Sequence, residues 1–225
     1  MAIINQATKE LQVKIVYYGP AKSGKTTNLE QVHKNVHVPN PDAKGKMTSL
    51  ATSSDRTLFF DFFPLEAVAI KGFKTKFALF TVPGQVIYNA TRQIVLRGVD
   101  GIVFVADSQY EKMEENIETF RHLEENLKTL NLNIDEIPIV MQYNKRDVPD
   151  VAPVEYMDFL LNNREVQAPT FEASAAKCEG VFETLNMITR MLLHKFLSDG
   201  ARKKLIPWAS SHPLIKPTST SSMRC

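Results

Sequence analysis

Two short strings in the sequence have residue types and spacings suited to holding a nucleotide. The first, Gly19-Pro20-Ala21-Lys22-Ser23-Gly24-Lys25-Thr26, fits G-x-x-x-x-G-K-[ST] in full. Glycines in such a loop let backbone N–H groups turn inward around a phosphate chain. Lys25 would reach the β- and γ-phosphates, and Thr26 would offer its hydroxyl to Mg²⁺. The N-terminus of the helix that follows would add its dipole. Ala21, Lys22, Ser23 and Thr27 belong to the same loop and the first turn after it. A glycine turn with an incidental lysine is the ordinary alternative. The strand-like run LQVKIVYY directly before the loop argues against it.

The second string, Asn144-Lys145-Arg146-Asp147, follows an apolar run from Pro138 to Tyr143. Ligands of open α/β sheets bind at the C-terminal ends of the strands. A carboxylate there can accept hydrogen bonds from guanine N1–H and N2–H₂. Adenine has no such donor pair, so it would leave the Asp147 carboxylate desolvated and unpaired. A site of this kind discriminates by roughly 10⁴-fold or more. Alone, N-K-x-D reads as a solvated polar turn; its place downstream of a phosphate loop gives it meaning. Further on, Glu172-Ala173-Ser174-Ala175 could bring a backbone N–H to guanine O6, or simply begin a helix.

Positioning these loops requires strands and helices in alternation, and the sequence supplies them. Strands are expected at Leu11 to Tyr18, Thr57 to Phe63, Phe73 to Val82, Gly101 to Asp107, Pro138 to Asn144 and Thr170 to Ala173. GIVFVAD at 101–107 is apolar throughout, as in a sheet covered on both faces. Lys71-Gly72 is short enough to close a hairpin. Helices are expected at Thr26 to about Val36, Glu111 to Leu130, near Val154 to Asn162, and Val181 to Leu197. In the second of these, Met113, Ile117, Phe120, Leu123, Leu127 and Leu130 form one stripe, read as core packing. Residues 37–54 and 83–98 lack apolar periodicity and read as irregular. The expected fold is α/β, of P-loop NTPase type. It has a mostly parallel six-stranded sheet with one antiparallel edge pair and helices on both faces.

A length of 225 residues suits one domain with an appendage. The mix of 44% hydrophobic and 23% charged residues can bury a substantial core. Lys+Arg is 27 against Asp+Glu 25, which excludes a whole-protein basic footprint for nucleic acid. Cys178 and Cys225 are too few for a disulfide scaffold and make no zinc site. No secretory signal or membrane span is evident, so a soluble, cytoplasmic chain is expected. His33 and His37 have helical spacing but no third ligand, and read as surface residues.

Together, YYGPAKSGKTTNLE, SDRTLFFDFFP, FTVPGQ, VDGIVFVADSQ and QYNKRD resemble the Ras-like small GTPases, and within them the bacterial MglA family of motility and polarity switches. The resemblance covers about residues 8–197 and implies a Ras-like G domain over 1–198, with a flexible tail over 199–225. It implies GTP/GDP and Mg²⁺ as ligands. Thr81-Val82-Pro83-Gly84-Gln85 stands where Ras-like proteins have D-x-x-G-Q. Gln85 would then orient the attacking water, and the Gly84 N–H would sense the γ-phosphate. Thr81 replaces the usual Mg²⁺-associated Asp, as the MglA pattern does, and also reads as a β-branched strand residue. Asp61 on the neighbouring strand could supply the missing charge. Thr57 would be the Mg²⁺-coordinating switch threonine. Arg56 would be an arginine finger in cis, or else an ordinary loop arginine. Ala21 stands where the family usually has Gly; its methyl could crowd Gln85 and the water, so slow intrinsic turnover is expected.

The resemblance further implies a Roadblock-type, MglB-like activator, polarity or motility effectors, and recruitment to a cell pole. A nucleotide-gated scaffold with little hydrolysis is a second reading. A P-loop ATPase or kinase is a third, disfavoured by Asn144-Lys145-Arg146-Asp147. In the tail, Arg202-Lys203-Lys204 before Leu205-Ile206-Pro207-Trp208 could give a weak hold on an anionic surface. A solvated tail is the alternative. Cys225 lacks a prenylation context.

Overall fold

The computed structural model describes residues 3–5, 10–36, 48–51, 57–70, 73–84 and 89–200, with side chains described for 10–36, 75–84 and 89–196. Its strands are β1 (Ile3–Asn5), β2 (Glu10–Tyr18), β3 (Thr48–Ala51), β4 (Thr57–Ile70), β5 (Phe73–Thr81), β6 (Gly101–Asp107), β7 (Ile139–Asn144) and β8 (Thr170–Glu172). Its helices are α1 (Lys25–Asn35), α2 (Asn89–Leu96), α3 (Met113–Thr129), α4 (Val154–Leu161) and α5 (Val181–Gly200). The strands form one sheet in the order β3-β4-β5-β2-β6-β7-β8, with β1 pairing β2 off this path. The five strands β5, β2, β6, β7 and β8 run parallel. β4 pairs antiparallel with β5, and β3 with β4.

Alternation along the central strands sorts their side chains between two cores. Val13, Ile15 and Tyr17 of β2 face one side with Val103 and Val105 of β6, packed under α1 and α5. Val16 and Tyr18 face the other with Ile102, Phe104 and Ala106, under α2, α3 and α4. Every residue of β6 is buried, as its apolar sequence requires. The α3 stripe enters the second core: Met113, Phe120, Leu123 and Leu127 are buried, with Ile117 and Leu130 packed at the margin. On α5, Leu185, Ile188 and Leu192 are buried and Phe196 is partly so.

The sheet has eight strands among the described residues rather than six. The additions, β1 and β3, are three and four residues long, too short for alternation to register. Their antiparallel partners β2 and β4 define them. β3 therefore corrects the reading of 37–54 as loop throughout. β4 continues past Phe63 through Pro64. That proline lies beyond Phe62, where the β3 register ends among the described residues. Helix α2 occupies part of the stretch expected to be irregular. Eight residues framed by Pro83, Gly84 and Gly98 give little periodicity to read. α5 runs on to Gly200. Lys71-Gly72, His37 and residues 201–225 lie outside the described residues. No helix among the described residues is long and apolar enough to cross a membrane.

Leu192 is fully buried, and its Cδ1 lies 2.9 Å from where a Cβ on Gly101 would be, so α5 packs directly on the β6 backbone. Leu192→Ala is expected to lower unfolding stability by about 2–5 kcal/mol. Phe159→Ala, at a side chain 68% exposed, should change it by under about 0.5 kcal/mol. Urea unfolding of both variants checks this; equal losses would contradict the packing.

Candidate nucleotide site

The phosphate loop joins β2 to α1 at the C-terminal edge of the sheet. Gly24 precedes the helix at φ 100°, where an L side chain is strained. A Cβ on it would also lie 2.2 Å from Asn144 Nδ2. The absent side chain lets the Asn144 carboxamide cross the loop. Its Nδ2 donates to Ser23 O at 2.7 Å, and its Oδ1 accepts from the Ala175 N–H at 2.8 Å. One buried side chain thus ties the phosphate loop, the end of β7 and the segment after β8.

Lys25 is buried, and its Nζ donates to Gly19 O at 3.0 Å and Pro20 O at 2.5 Å. Its ammonium is therefore held inside the loop's own ring of backbone. Lys22 is exposed at φ 61°, Ala21 is half-buried, and Thr26 and Thr27 open α1, half-buried. The Ser23 hydroxyl is buried without a hydrogen-bond partner among the described residues. A glycine-shaped cradle, an orphaned hydroxyl and a buried ammonium fit a phosphate chain.

The residues expected from the sequence to read the base sit beside this loop. Lys145, at φ 65°, pairs through Nζ with Asp107 Oδ2 at 2.5 Å, and the Asp107 side chain is 2% exposed. Arg146 fastens the turn: its N–H donates to Ala173 O, its Nε to Glu172 and its Nη1 to Ala152 O. Asp147 stands exposed, with no hydrogen bond to another described residue. The Ser174 N–H donates to Glu179 O and the Ala175 N–H to Asn144, so each would meet a base only by sharing. Ala176 follows, exposed.

On the other flank, Gly84 lies against the phosphate loop. A Cβ on it would be 2.3 Å from Ala21 Cα and 2.4 Å from Ala21 N. Thr81 ends β5 and is buried. Phe62 is in register with Phe80, and continuing that antiparallel register by one residue sets Asp61 opposite Thr81. Thr57 opens β4. Arg56 and Gln85 lie outside the described residues.

A model of the Ras family matches residues 46–194, well over half of the chain. The chain belongs to the Ras family. It is similar to the mutual gliding-motility protein MglA of Myxococcus xanthus (strain DK1622), with 48% identity over 200 residues, 89% of this chain and 100% of that protein. It is an MglA-type, Ras-like GTPase.

Sequence reasoning missed part of what frames this Ras-family site. Arg92 of α2 is 1% exposed and donates through Nε to Pro83 O and through Nη2 to Gly84 O. It lies over the Tyr18 ring, 5.7 Å from its centroid. Burial pushes the Tyr18 hydroxyl up in pKa, with the Arg92 charge pulling the other way. A fully buried arginine is rare, and nothing in NATRQIVL marks it. Asp107 was missed as well, although an acid ending an apolar strand at the ligand-binding edge is a signal that could have marked it.

Asn144→Ala would leave Ser23 O and the Ala175 N–H unpaired in a buried setting. The expected result is GDP affinity lowered by about tenfold or more, with far-UV circular dichroism unchanged. Unaltered GDP affinity, measured by calorimetry, would contradict the bracing role.

Proposed function

We propose that this GTPase is a Mg²⁺-dependent switch whose GTP- and GDP-bound forms select different partners in cell polarity or motility. One observation supports it above all: the Asn144 carboxamide joins the phosphate loop to the base-reading segment, with Asp147 exposed beside it. In this reading Gly19, Ala21, Lys22, Ser23, Gly24, Lys25, Thr26 and Thr27 surround the phosphates, and Lys25 turns its ammonium from the loop carbonyls to the β/γ-phosphates. Asn144, Lys145, Asp147, Ser174 and Ala175 enclose the guanine.

Thr26 and Thr57 would hold Mg²⁺, whose charge neutralises that of the β- and γ-phosphate oxygens. Among the described residues no group of three His, Cys, Asp or Glu side chains could hold a metal. Asp61, opposite Thr81 in the strand register, would supply the negative charge that Thr81 cannot. The Gly84 N–H contacts the γ-phosphate, Gln85 orients the attacking water, and Arg56 stabilises the charge that develops in the transition state.

The segments near 40–57 and 83–98, which include β3 and α2, would reorganise when the γ-phosphate is lost and so change the partner surface. The likeness to a protein named for mutual gliding motility supports a motility role. A Roadblock-type, MglB-like protein would accelerate hydrolysis, and effectors would recruit the GTPase to a cell pole. A nucleotide-gated scaffold with little hydrolysis is the second reading. Ala21 favours it, since a methyl there, on a loop residue whose backbone Gly84 seats against, stands where the family usually has glycine.

Single-turnover GTP hydrolysis tests the reading with three proteins. Wild type should hydrolyse slowly, Arg56→Ala should be slower by about 10³-fold or more, and Ala21→Gly should be faster. Wild-type turnover unchanged in Arg56→Ala would remove the finger in cis. Tight GTP binding with no turnover in any of the three would favour the scaffold.

A further inference from the structure

We infer that Arg92 is a positioning residue that sets the direction of the Gly84 N–H and thereby supports the binding of GTP but not that of GDP. The inference rests on Gly84 being the residue whose amide meets the γ-phosphate. Arg92 does not touch the nucleotide in this account; it acts through the backbone.

Its guanidinium holds two successive carbonyls, Pro83 O at 3.0 Å and Gly84 O at 2.7 Å. The peptide bonds are trans, and in a planar trans peptide C=O and N–H point in opposite directions. Holding the Pro83 carbonyl towards Arg92 therefore turns the Gly84 N–H away from it. Holding the Gly84 carbonyl fixes the next peptide plane as well. The two bonds together fix the planes on both sides of Gly84 Cα. Glycine has the widest backbone freedom of any residue, so its amide is aimed only if something external aims it. On its other side Gly84 meets Ala21 of the phosphate loop. It is thus clamped between the guanidinium and the loop that would hold the phosphates.

The clamp is itself anchored. Tyr18, fully buried, is the last residue of β2 before the phosphate loop, and its ring lies under the guanidinium. Asn126 of α3, also buried, donates through Nδ2 to Tyr18 Oη at 3.3 Å and to Asn89 Oδ1 at 2.8 Å. Its Oδ1 accepts from Gln93 Nε2 at 3.0 Å. Asn89 and Gln93 flank Arg92 on α2, so α3 fixes the helix from which the guanidinium projects. Arginine suits this geometry. Its planar fork serves two carbonyls in fixed directions while lying on an aromatic face, whereas an ammonium has rotatable donors and no plane.

The readout is selective, because GDP has no γ-phosphate for the Gly84 amide to meet. Arg92→Gln and Arg92→Lys would be titrated, beside wild type, with Mg²⁺ and either GDP or a non-hydrolysable GTP analogue. The expected result is analogue affinity reduced by about tenfold or more, with GDP affinity within about twofold of wild type. The single-turnover rate at saturating GTP should fall in parallel. The lysine variant keeps the charge and stem, so it guards against a glutamine variant that fails to fold. Equal losses of both nucleotides in both variants would mark Arg92 as part of the fold alone and overturn the proposal. Unchanged affinity for the analogue would overturn it too. Wild type binding neither nucleotide would instead sink the switch reading, and the proposal with it.

Discussion

In the proposed reading, one strand of a parallel sheet separates the two halves of a nucleotide site. The phosphate loop follows β2 and the base-reading turn follows β7, with β6 between them. A loop and a turn set that far apart need a rigid brace if one ligand is to meet both. The Asn144 carboxamide is that brace, with a donor on Ser23 O and an acceptor on the Ala175 N–H. It reaches across only because Gly24 has no Cβ in its path. The glycine usually credited with freeing backbone for phosphate is here equally the gap through which the base half grips the phosphate half.

Further buried polar contacts extend this brace into the scaffold. Gln142, two residues earlier on the same face of β7 and fully buried, donates to Asn28 of α1 and Thr184 of α5. Asn28 in turn donates to Gly24 O. The first turn of α1 is thereby fixed from beneath as well as from the side. Buried amides are costly unless paired, and where paired they specify one arrangement. A second polar set, built on Asn126, Tyr18 and Arg92, secures the opposite flank at Pro83 and Gly84. The site is therefore a loop of backbone held on two flanks by side chains rooted in different helices.

The sequence made much of this legible because the residues concerned do chemistry at fixed spacing. The phosphate loop and Asn144-Lys145-Arg146-Asp147 are contiguous strings, and the structure brings them into contact. Strands β2, β6 and β7 were visible from their β-branched and aromatic content. What escaped was set by tertiary context. β3 is a strand because β4 lies beside it, and α2 is a helix too short to show a period. Arg92 sits in a stretch without apolar periodicity, and its burial follows from α2 folding over Tyr18. The Asn144 bridge to Ala175 spans strands far apart in sequence, so spacing alone could not announce it.

Guanine selectivity is the most direct test of a site built this way, because it needs the brace, the exposed Asp147 carboxylate and the phosphate loop together. Calorimetric titration of the nucleotide-free protein with GDP and with ADP, each with Mg²⁺, would measure it. The expected result is GDP bound more tightly by about 10⁴-fold or more. Comparable affinities for the two nucleotides would contradict the account, since the phosphate loop would then be working without a base site.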